Sequence, residues 1–253
     1  MVLVSVLASG SKGNCTYIET KKHKCLIDVG MNLKYISSKL EEIKVNISDI
    51  DIVFITHTHI DHISGLKKLI KDTNACIYLT EKMYEELGYE LNNYCFIEDK
   101  VMLDDLDVEV IKLSHDTDDI NGYILSSYEK SIVYITDTGY INVKNHNKLK
   151  NKHLYIMESN HDVNMLMKGK YPYHIKMRIL GDRGHLSNKD SANYLSKFIG
   201  DNTKYIILAH LSHENNDENI ALNNLIEVLN DKNINNPKIL LATQEDRTEL
   251  VEV

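Results

Sequence analysis

Thr56-His57-Thr58-His59-Ile60-Asp61-His62 sets four metal-competent side chains within six residues, directly after the strand-like run Asp51-Ile-Val-Phe-Ile-Thr56. In an extended backbone alternate side chains share a face, so His57 and His59 point to one side. Asp61 and His62 follow where the chain turns toward the apolar-periodic segment Ile63–Ile70, and can face a second point about one metal–metal spacing away. Three imidazoles and a carboxylate suit Zn, Mn, Fe or Ni better than calcium. The bland alternative is a polar loop that happens to be rich in histidine. The strand–turn–helix context weighs against it.

The rest of the composition is that of an ordinary globular protein. A length of 253 residues fits one large domain or two small ones, and 43% hydrophobic with 26% charged residues is unremarkable. The apolar runs, such as Lys204-Tyr-Ile-Ile-Leu-Ala209, are far too short to span a bilayer, so no membrane insertion is expected. The opening Met1–Ser11 lacks a basic leader and reads as a first strand rather than a signal peptide, which places the protein in the cytoplasm. Cys15, Cys25, Cys76 and Cys95 show no C-x-x-C spacing and read as reduced thiols. A net charge of −8 offers no global basic field, although two divalent ions would add four positive charges at one spot.

Strand-like segments fall at 2–8, 15–20, 24–28, 51–56, 75–79, 107–113, 121–127, 131–136, 153–157, 204–209 and 238–242. Helical patterns fall at about 32–44, 63–72, 81–88, 141–150, 188–199 and 217–231. No Pro-rich or Gly/Ser-rich linker divides them, and the one biased stretch is Asn-rich (Asn215–Asn236). Strands mixed with helices and no linker predict a single α/β domain over 1–253, with sheets inside and helices outside.

Later strand-like segments end in polar clusters: Ser114-His115-Asp116, Thr136-Asp137-Thr138-Gly139, Glu158-Ser159-Asn160-His161 and Ala209-His210-Leu211-Ser212. One histidine at a strand end is more often structural than a ligand. Recurrence is the stronger signal, because residues at one end of several strands converge on one cleft. His115, Asp137 and His210 bring the protein ligands to seven, enough for two ions sharing a carboxylate with a position left for water.

The set His57-x-His59-x-Asp61-His62, His115, Asp137, His210 resembles the dinuclear hydrolases of the metallo-β-lactamase fold, in order and spacing. Asp28, in Leu26-Ile-Asp-Val-Gly30, matches the aspartate that steadies the metal-binding loop of that superfamily by hydrogen bonds. The resemblance implies a four-layer αββα sandwich over essentially the whole chain. A closer likeness covers 136–213: Thr136-Asp-Thr-Gly139, Glu158-Ser-Asn-His-Asp162, Met165-Leu166 with Gly169-x-Tyr-Pro172, Gly184-His-Leu-Ser-Asn188 and Leu208-Ala-His-Leu-Ser212 resemble the YycJ/WalJ group. These are bacterial exonuclease-like proteins related to RNase Z and RNase J. Only 52 residues separate His62 from His115, leaving little room for the tRNA-binding arm of RNase Z. Only 72 separate Asp137 from His210, so no β-CASP domain is inserted.

By that resemblance His57, His59 and His115 hold one ion, Asp61, His62 and His210 hold the other, and Asp137 bridges. Zn or Mn leads among the metals, with Fe or Ni as alternatives. Two such ions lower the pKa of a bridging water, the expected nucleophile, and stabilise a pentavalent phosphorus. Asp61 counts among the catalytic residues as well as the ligands. Glu158 and His185 match a pair in which the Glu orients a His that protonates the leaving 3′-oxygen. The alternative for Glu158 is a buried structural carboxylate. His161 either holds a phosphate or packs in its loop.

Lys168-Gly-Lys-Tyr-Pro-Tyr-His-Ile-Lys-Met-Arg178 continues to Arg183 with Asp182 as its only acid. Its cations suit backbone phosphates and its rings suit stacked bases, so Lys168, Lys170, Tyr171, Tyr173 and Arg178 are expected to touch substrate, with Ser187 and Asn188 beside them. A solvated amphipathic helix is the alternative. The leading expectation is a 5′→3′ exonuclease on single-stranded DNA or RNA. A glyoxalase II-type thioester hydrolase uses the same seven ligands, and a regulatory nucleic-acid-binding protein without turnover is the third reading. The oligomeric state, including a homo-oligomer, stays open.

Overall fold

The computed structural model describes residues 1–234 and 237–253. Along the chain come β1 (Leu3–Ala8), β2 (Cys15–Glu19), β3 (Lys24–Ile27), α1 (Leu33–Glu41), β4 (Ile52–Phe54), α2 (Ile60–Ile63), α3 (Leu66–Asp72), β5 (Cys76–Leu79), α4 (Glu81–Leu87), β6 (Tyr94–Phe96) and β7 (Lys100–Met102). They are followed by β8 (Asp107–Lys112), β9 (Asn121–Ser127), β10 (Lys130–Ile135), α5 (His146–Leu149), β11 (Leu154–Glu158), α6 (Val163–Lys168) and α7 (Tyr173–Leu180). The chain ends with α8 (Asn188–Phe198), β12 (Tyr205–Ala209), α9 (Glu218–Asp231), β13 (Lys238–Leu241) and β14 (Val251–Glu252). The strands form two mixed seven-stranded sheets, in the orders β14-β1-β2-β3-β4-β5-β6 and β13-β12-β11-β10-β9-β8-β7. Both are flanked by helices, which is the α/β class expected.

Contacts divide the chain into two compact units, 1–110 with 125–130 and 242–253, and 111–124 with 131–241. In the first, β1 pairs antiparallel with β2 and β2 with β3, whereas β3, β4, β5 and β6 run parallel. Leu26, Val53 and Ile77 project from one face of β3, β4 and β5. They pack with Ile36 and Leu40 of α1, Leu66 and Leu69 of α3, and Met83 of α4. In the second, β10, β11, β12 and β13 are all parallel. Val133 and Ile135, Tyr155 and Met157, and Ile206 and Leu208 sit two residues apart, so each pair shares a face. That face meets Leu195 and Phe198 of α8 and Leu225 and Leu229 of α9.

Every strand read from the sequence is present, to within a few residues at its ends. The additional strands are short. β6 is exposed along its length, and β14 owes its two residues to pairing with β1 across the length of the chain. The helical pattern at 141–150 narrows to α5, preceded by a 3₁₀ turn at Val143–Asn145. The basic stretch after residue 162 forms α6 and α7, which no apolar period announced. Asp162 caps α6 by accepting from Met165 N, and buried Lys176 of α7 donates Nζ to Met167 O and Gly169 O at 2.8 and 2.7 Å, closing the far end of α6. The final two residues of the Asn-rich stretch, Asn235 and Asn236, lie outside the described residues.

Tyr155 is the polar anchor of the second core. Its hydroxyl lies 2.7 Å from Leu149 O and 2.9 Å from Phe198 O and accepts from Lys152 N at 2.9 Å, all fully buried from solvent on the tyrosine side. Tyr155→Phe keeps the ring and strands those backbone groups, so urea unfolding should show a loss of about 1–3 kcal/mol. An unchanged transition midpoint would mean water satisfies them.

Candidate functional site

The first unit holds the histidine-rich loop at the C-terminal end of β4. Residues 57–59 are loop rather than strand, yet His57 and His59 still lie together, with ring centroids 4.6 Å apart, and His57 and His62 are 4.1 Å apart. His59 caps α2, so Asp61 and His62 fall on its first turn. The loop is braced by backbone bonds: Asn14 N to Asp61 O, Val29 N to His62 O and Gly65 N to Val29 O, each 2.8 Å. Gly30 permits that approach, since a Cβ there would lie 1.7 Å from Asp61 O. Thr58, between two of the predicted ligands, donates its hydroxyl to Glu86 of α4.

Asp28 follows β3 with φ 61°, a left-handed conformation that turns its carboxylate under this loop. Its Oδ1 accepts from Thr56 N at 2.8 Å. Its Oδ2 accepts from Thr56 Oγ1 at 2.8 Å and from His62 Nδ1 at 2.7 Å. Burial pushes the Asp28 carboxyl upward, against the downward pull of His62 and Thr56. Asn14 Nδ2 donates to Gly10 O at 3.1 Å and lies 3.0 Å from His62 Nε2.

In the second unit the parallel register places strand ends side by side: Ile135 pairs with Met157, and Glu158 with Ala209. Asp137 and His210 follow β10 and β12, both left-handed, with φ 55° and 56°. Asp137, Glu158, His185 and His210 gather with ligand atoms within 4.8 Å of one another. Glu158 is wholly buried and its four acceptances leave nothing unsatisfied. Oε1 takes His185 Nδ1 at 2.7 Å and His210 Nδ1 at 3.0 Å, while Oε2 takes Thr138 N at 3.0 Å and Leu186 N at 3.1 Å. Burial alone would raise its pKa. The charge and hydrogen bond of His185, with the bond to His210, outweigh that and hold it well below the usual carboxylate range. His115 lies in the loop after β8 with Nδ1 3.1 Å from Gly184 O, and burial pushes its pKa down.

These residues fit divalent metal ions. His62, His115 and His210 each direct Nδ1 at an oxygen that can only accept: Asp28 Oδ2, Gly184 O and Glu158 Oε1. On His62 and His210 a proton on Nδ1 leaves Nε2 the lone pair that a metal requires, whereas His115 faces an acceptor at both nitrogens, its Nε2 lying 3.0 Å from Asp116 Oδ1.

The expected substrate contacts divide. Tyr173 is 69% exposed, and Lys168 and Lys170 are exposed. Tyr171 is half-buried, its pKa raised by burial and by Glu214. Arg178 turns back on the protein, with Nη1 3.2 Å from Asp116 Oδ2. Ser187 and Asn188 need correction, because their polar atoms are used internally. Ser187 Oγ caps α8, accepting from Asp190 N at 3.1 Å and donating to Asp190 Oδ2 at 2.6 Å. Asn188 Oδ1 accepts from Ser159 Oγ at 2.7 Å and its Nδ2 donates to Asn216 Oδ1 at 2.7 Å. His161 is buried, with Nδ1 3.3 Å from Asn160 Oδ1, and burial drives its pKa down to about 4. A neutral ring of that kind offers a phosphate no charge. Sequence reasoning did not foresee the contacts of Arg183 with His115 O, of Asp116 with Arg178 or of Glu86 with Thr58, because each joins residues remote in the chain.

Comparison with known proteins agrees with this geometry. The profile of the Metallo-beta-lactamase superfamily matches residues 8–210. "Exodeoxyribonuclease YycJ" of Bacillus anthracis is 37% identical over 235 residues, covering 90% of this chain and 89% of that protein. "Exodeoxyribonuclease WalJ" of Streptococcus pneumoniae serotype 2 strain D39 is 39% identical over 228 residues, covering 86% and 84%. Among solved structures, the metallo-beta-lactamase fold protein YhfI from Bacillus subtilis superposes with a TM-score of 0.72 at 15% identity, covering 98% of this chain and 100% of that one. Similarity along nearly its whole length assigns the chain to a family: it belongs to the metallo-beta-lactamase superfamily.

Proposed function

We propose that this protein is an exonuclease that hydrolyses phosphodiesters at a free end of single-stranded DNA or RNA, working 5′→3′ with two divalent ions. The coarser statement, a metal-dependent hydrolase, follows from its family and from relatives named exodeoxyribonucleases. The proposal takes 1–253 as one working domain, in which His57, His59, Asp61 and His62 of the first unit share ions with His115, Asp137 and His210 of the second. Zn and Mn lead as the metals, with Fe and Ni behind them. A cytoplasmic site of action agrees with four free thiols, and among the described residues no helix is long and apolar enough to cross a membrane.

The observation that carries the reading is the pair Glu158–His185. Glu158 holds His185 Nδ1 at 2.7 Å, and the His185 side chain is 19% exposed where its partner is 0% exposed. It is the accessible group of the cluster, 3.7 Å from Asp137 Oδ1 through the same nitrogen. When bound, two divalent ions supply an acidified water as nucleophile and positive charge for the phosphoryl oxygens. Glu158 keeps the Nδ1 proton in place, so the proton that His185 can give up is the one on Nε2. As the P–O3′ bond breaks, that proton passes to the departing 3′-oxygen and the electron pair stays with the oxygen. The same Glu158 oxygen orients His210, so the proton donor and a metal ligand share one fixed point. Exposed Lys168, Lys170 and Tyr173 support contact with the strand beyond the scissile bond.

The test is a parallel assay of Mn- and Zn-loaded protein on end-labelled single-stranded DNA, RNA and a glutathione thioester. Release of nucleotides from one end supports the proposal; thioester turnover without nuclease activity overturns it. Asp137→Asn keeps the left-handed turn and removes the charge between the ions, so turnover should fall by about 10³-fold, or roughly 4 kcal/mol, with an unaltered unfolding transition. Wild-type turnover in that variant would show that the bridge is elsewhere. His185→Ala should lose about 10²–10⁴-fold on DNA and far less on a nitrophenyl phosphodiester, whose leaving group needs no proton. Equal losses on both substrates at equal metal content would remove His185 from the acid role.

A further inference from the structure

Arg183-Gly184-His185 makes three different attachments in a row. The Arg183 guanidinium donates Nε to His115 O at 2.9 Å and Nη2 to Thr117 O at 3.3 Å. Gly184 presents its carbonyl to His115 Nδ1 at 3.1 Å. His185 is bound to Glu158, and its ring centroid lies 4.8 Å from that of His115. The loop 114–119 that carries His115 contains no helix or strand, so its carbonyls depend on donors from elsewhere. Arg178 adds to the hold through Asp116 at 3.2 Å. Two of the chain's three arginines are thus directed at this loop. Gly184 itself lies tight against the end of α7, where a Cβ would come 2.1 Å from Ile179 O.

We infer that Arg183 is a positioning residue for the expected metal ligand His115, fixing its backbone so that the ring keeps Nδ1 on Gly184 and turns Nε2 toward the carboxylates of Asp116 and Asp137, 3.0 and 4.0 Å away. The inference rests on the metal-dependent reading above. It explains why an arginine stands here: two carbonyls two residues apart match the spread of a planar guanidinium, and an ammonium can meet only one of them well. It also links His115 to His185 through adjacent residues, so that the ligand and the proton donor keep one spacing. Tilting of the His115 loop therefore weakens metal binding before any chemistry is attempted.

Titration of the intact apo protein with Mn²⁺, followed calorimetrically and by the loss of the free-ion paramagnetic signal, tests this directly. Arg183→Ala and Arg183→Lys should both weaken binding of one of the two ions by about 10–100-fold, with the other ion little affected. Methylguanidinium at millimolar concentration should restore affinity to Arg183→Ala and leave His115→Ala unrescued. Should Arg183→Ala fail to fold, the lysine variant carries the test, since it preserves charge and bulk. Wild-type affinity in the lysine variant, or weakening in Arg183→Ala that methylguanidinium does not relieve, would overturn the inference while leaving the function above intact. If the wild-type protein takes up no ion in the same titration, the metal-dependent reading falls and this one with it.

Discussion

A buried neutral imidazole can present either nitrogen until something claims one of them, and the usefulness of this protein's histidines depends on that claim having been made. Asp28 claims Nδ1 of His62, the Gly184 carbonyl claims that of His115, and Glu158 claims those of both His210 and His185. Each acceptor is buried or backbone, so water does not replace it; at His115 the Asp116 carboxylate also faces Nε2, at 3.0 Å. The sheets supply the acceptors. Asp28 sits just beyond β3, and Glu158 is the last residue of β11, between β10 and β12. Parallel strands with their C-terminal ends together are the general means by which open α/β sheets assemble sites.

That arrangement has an energetic cost. Asp28, Asp137 and His210 adopt left-handed backbone angles that side chains other than glycine avoid, at about 1–3 kcal/mol each. Net stabilities are only about 5–15 kcal/mol, so three such residues are a heavy load for a domain to carry. Aspartate and histidine tolerate the region better than most, which reduces the cost without removing it. Glycine at any of the three would relieve strain and delete the functional group. The cores beneath them, built from Leu26, Val53 and Ile77 in one unit and Tyr155, Met157 and Leu208 in the other, offset the strain by burial.

Legibility in the sequence followed range along the chain. The histidine loop could be read because its side chains are contiguous and their spacing is itself the signal. The strands could be read because apolar runs such as Leu154–Met157 are bounded by polar residues; β6 and β14 could not, being short and held by neighbours distant in sequence. The partnership of Glu158 with His185 and the place of Asp28 came from resemblance, since nothing local tells which buried carboxylate meets which ring. The arginines are read only in part. A basic, tyrosine-bearing segment reads as a phosphate-seeking face, and Arg178 and Arg183 also reach a loop more than sixty residues earlier, its carboxylate and carbonyls respectively. Ser187 and Asn188 misled, because a helix cap and a buried amide network look like exposed polar residues until the packing is known.

The proposed metal centre requires oriented imidazoles that present Nε2 to a pair of ions. Anomalous diffraction from crystals of metal-loaded protein, collected on both sides of the metal absorption edge, measures this directly. The account predicts two peaks per chain about 3.5–4 Å apart, with His62, His115 and His210 bonded through Nε2 and Asp137 between the ions. A single fully occupied ion with Asp61 or His210 turned away, or bonding through Nδ1, would contradict it.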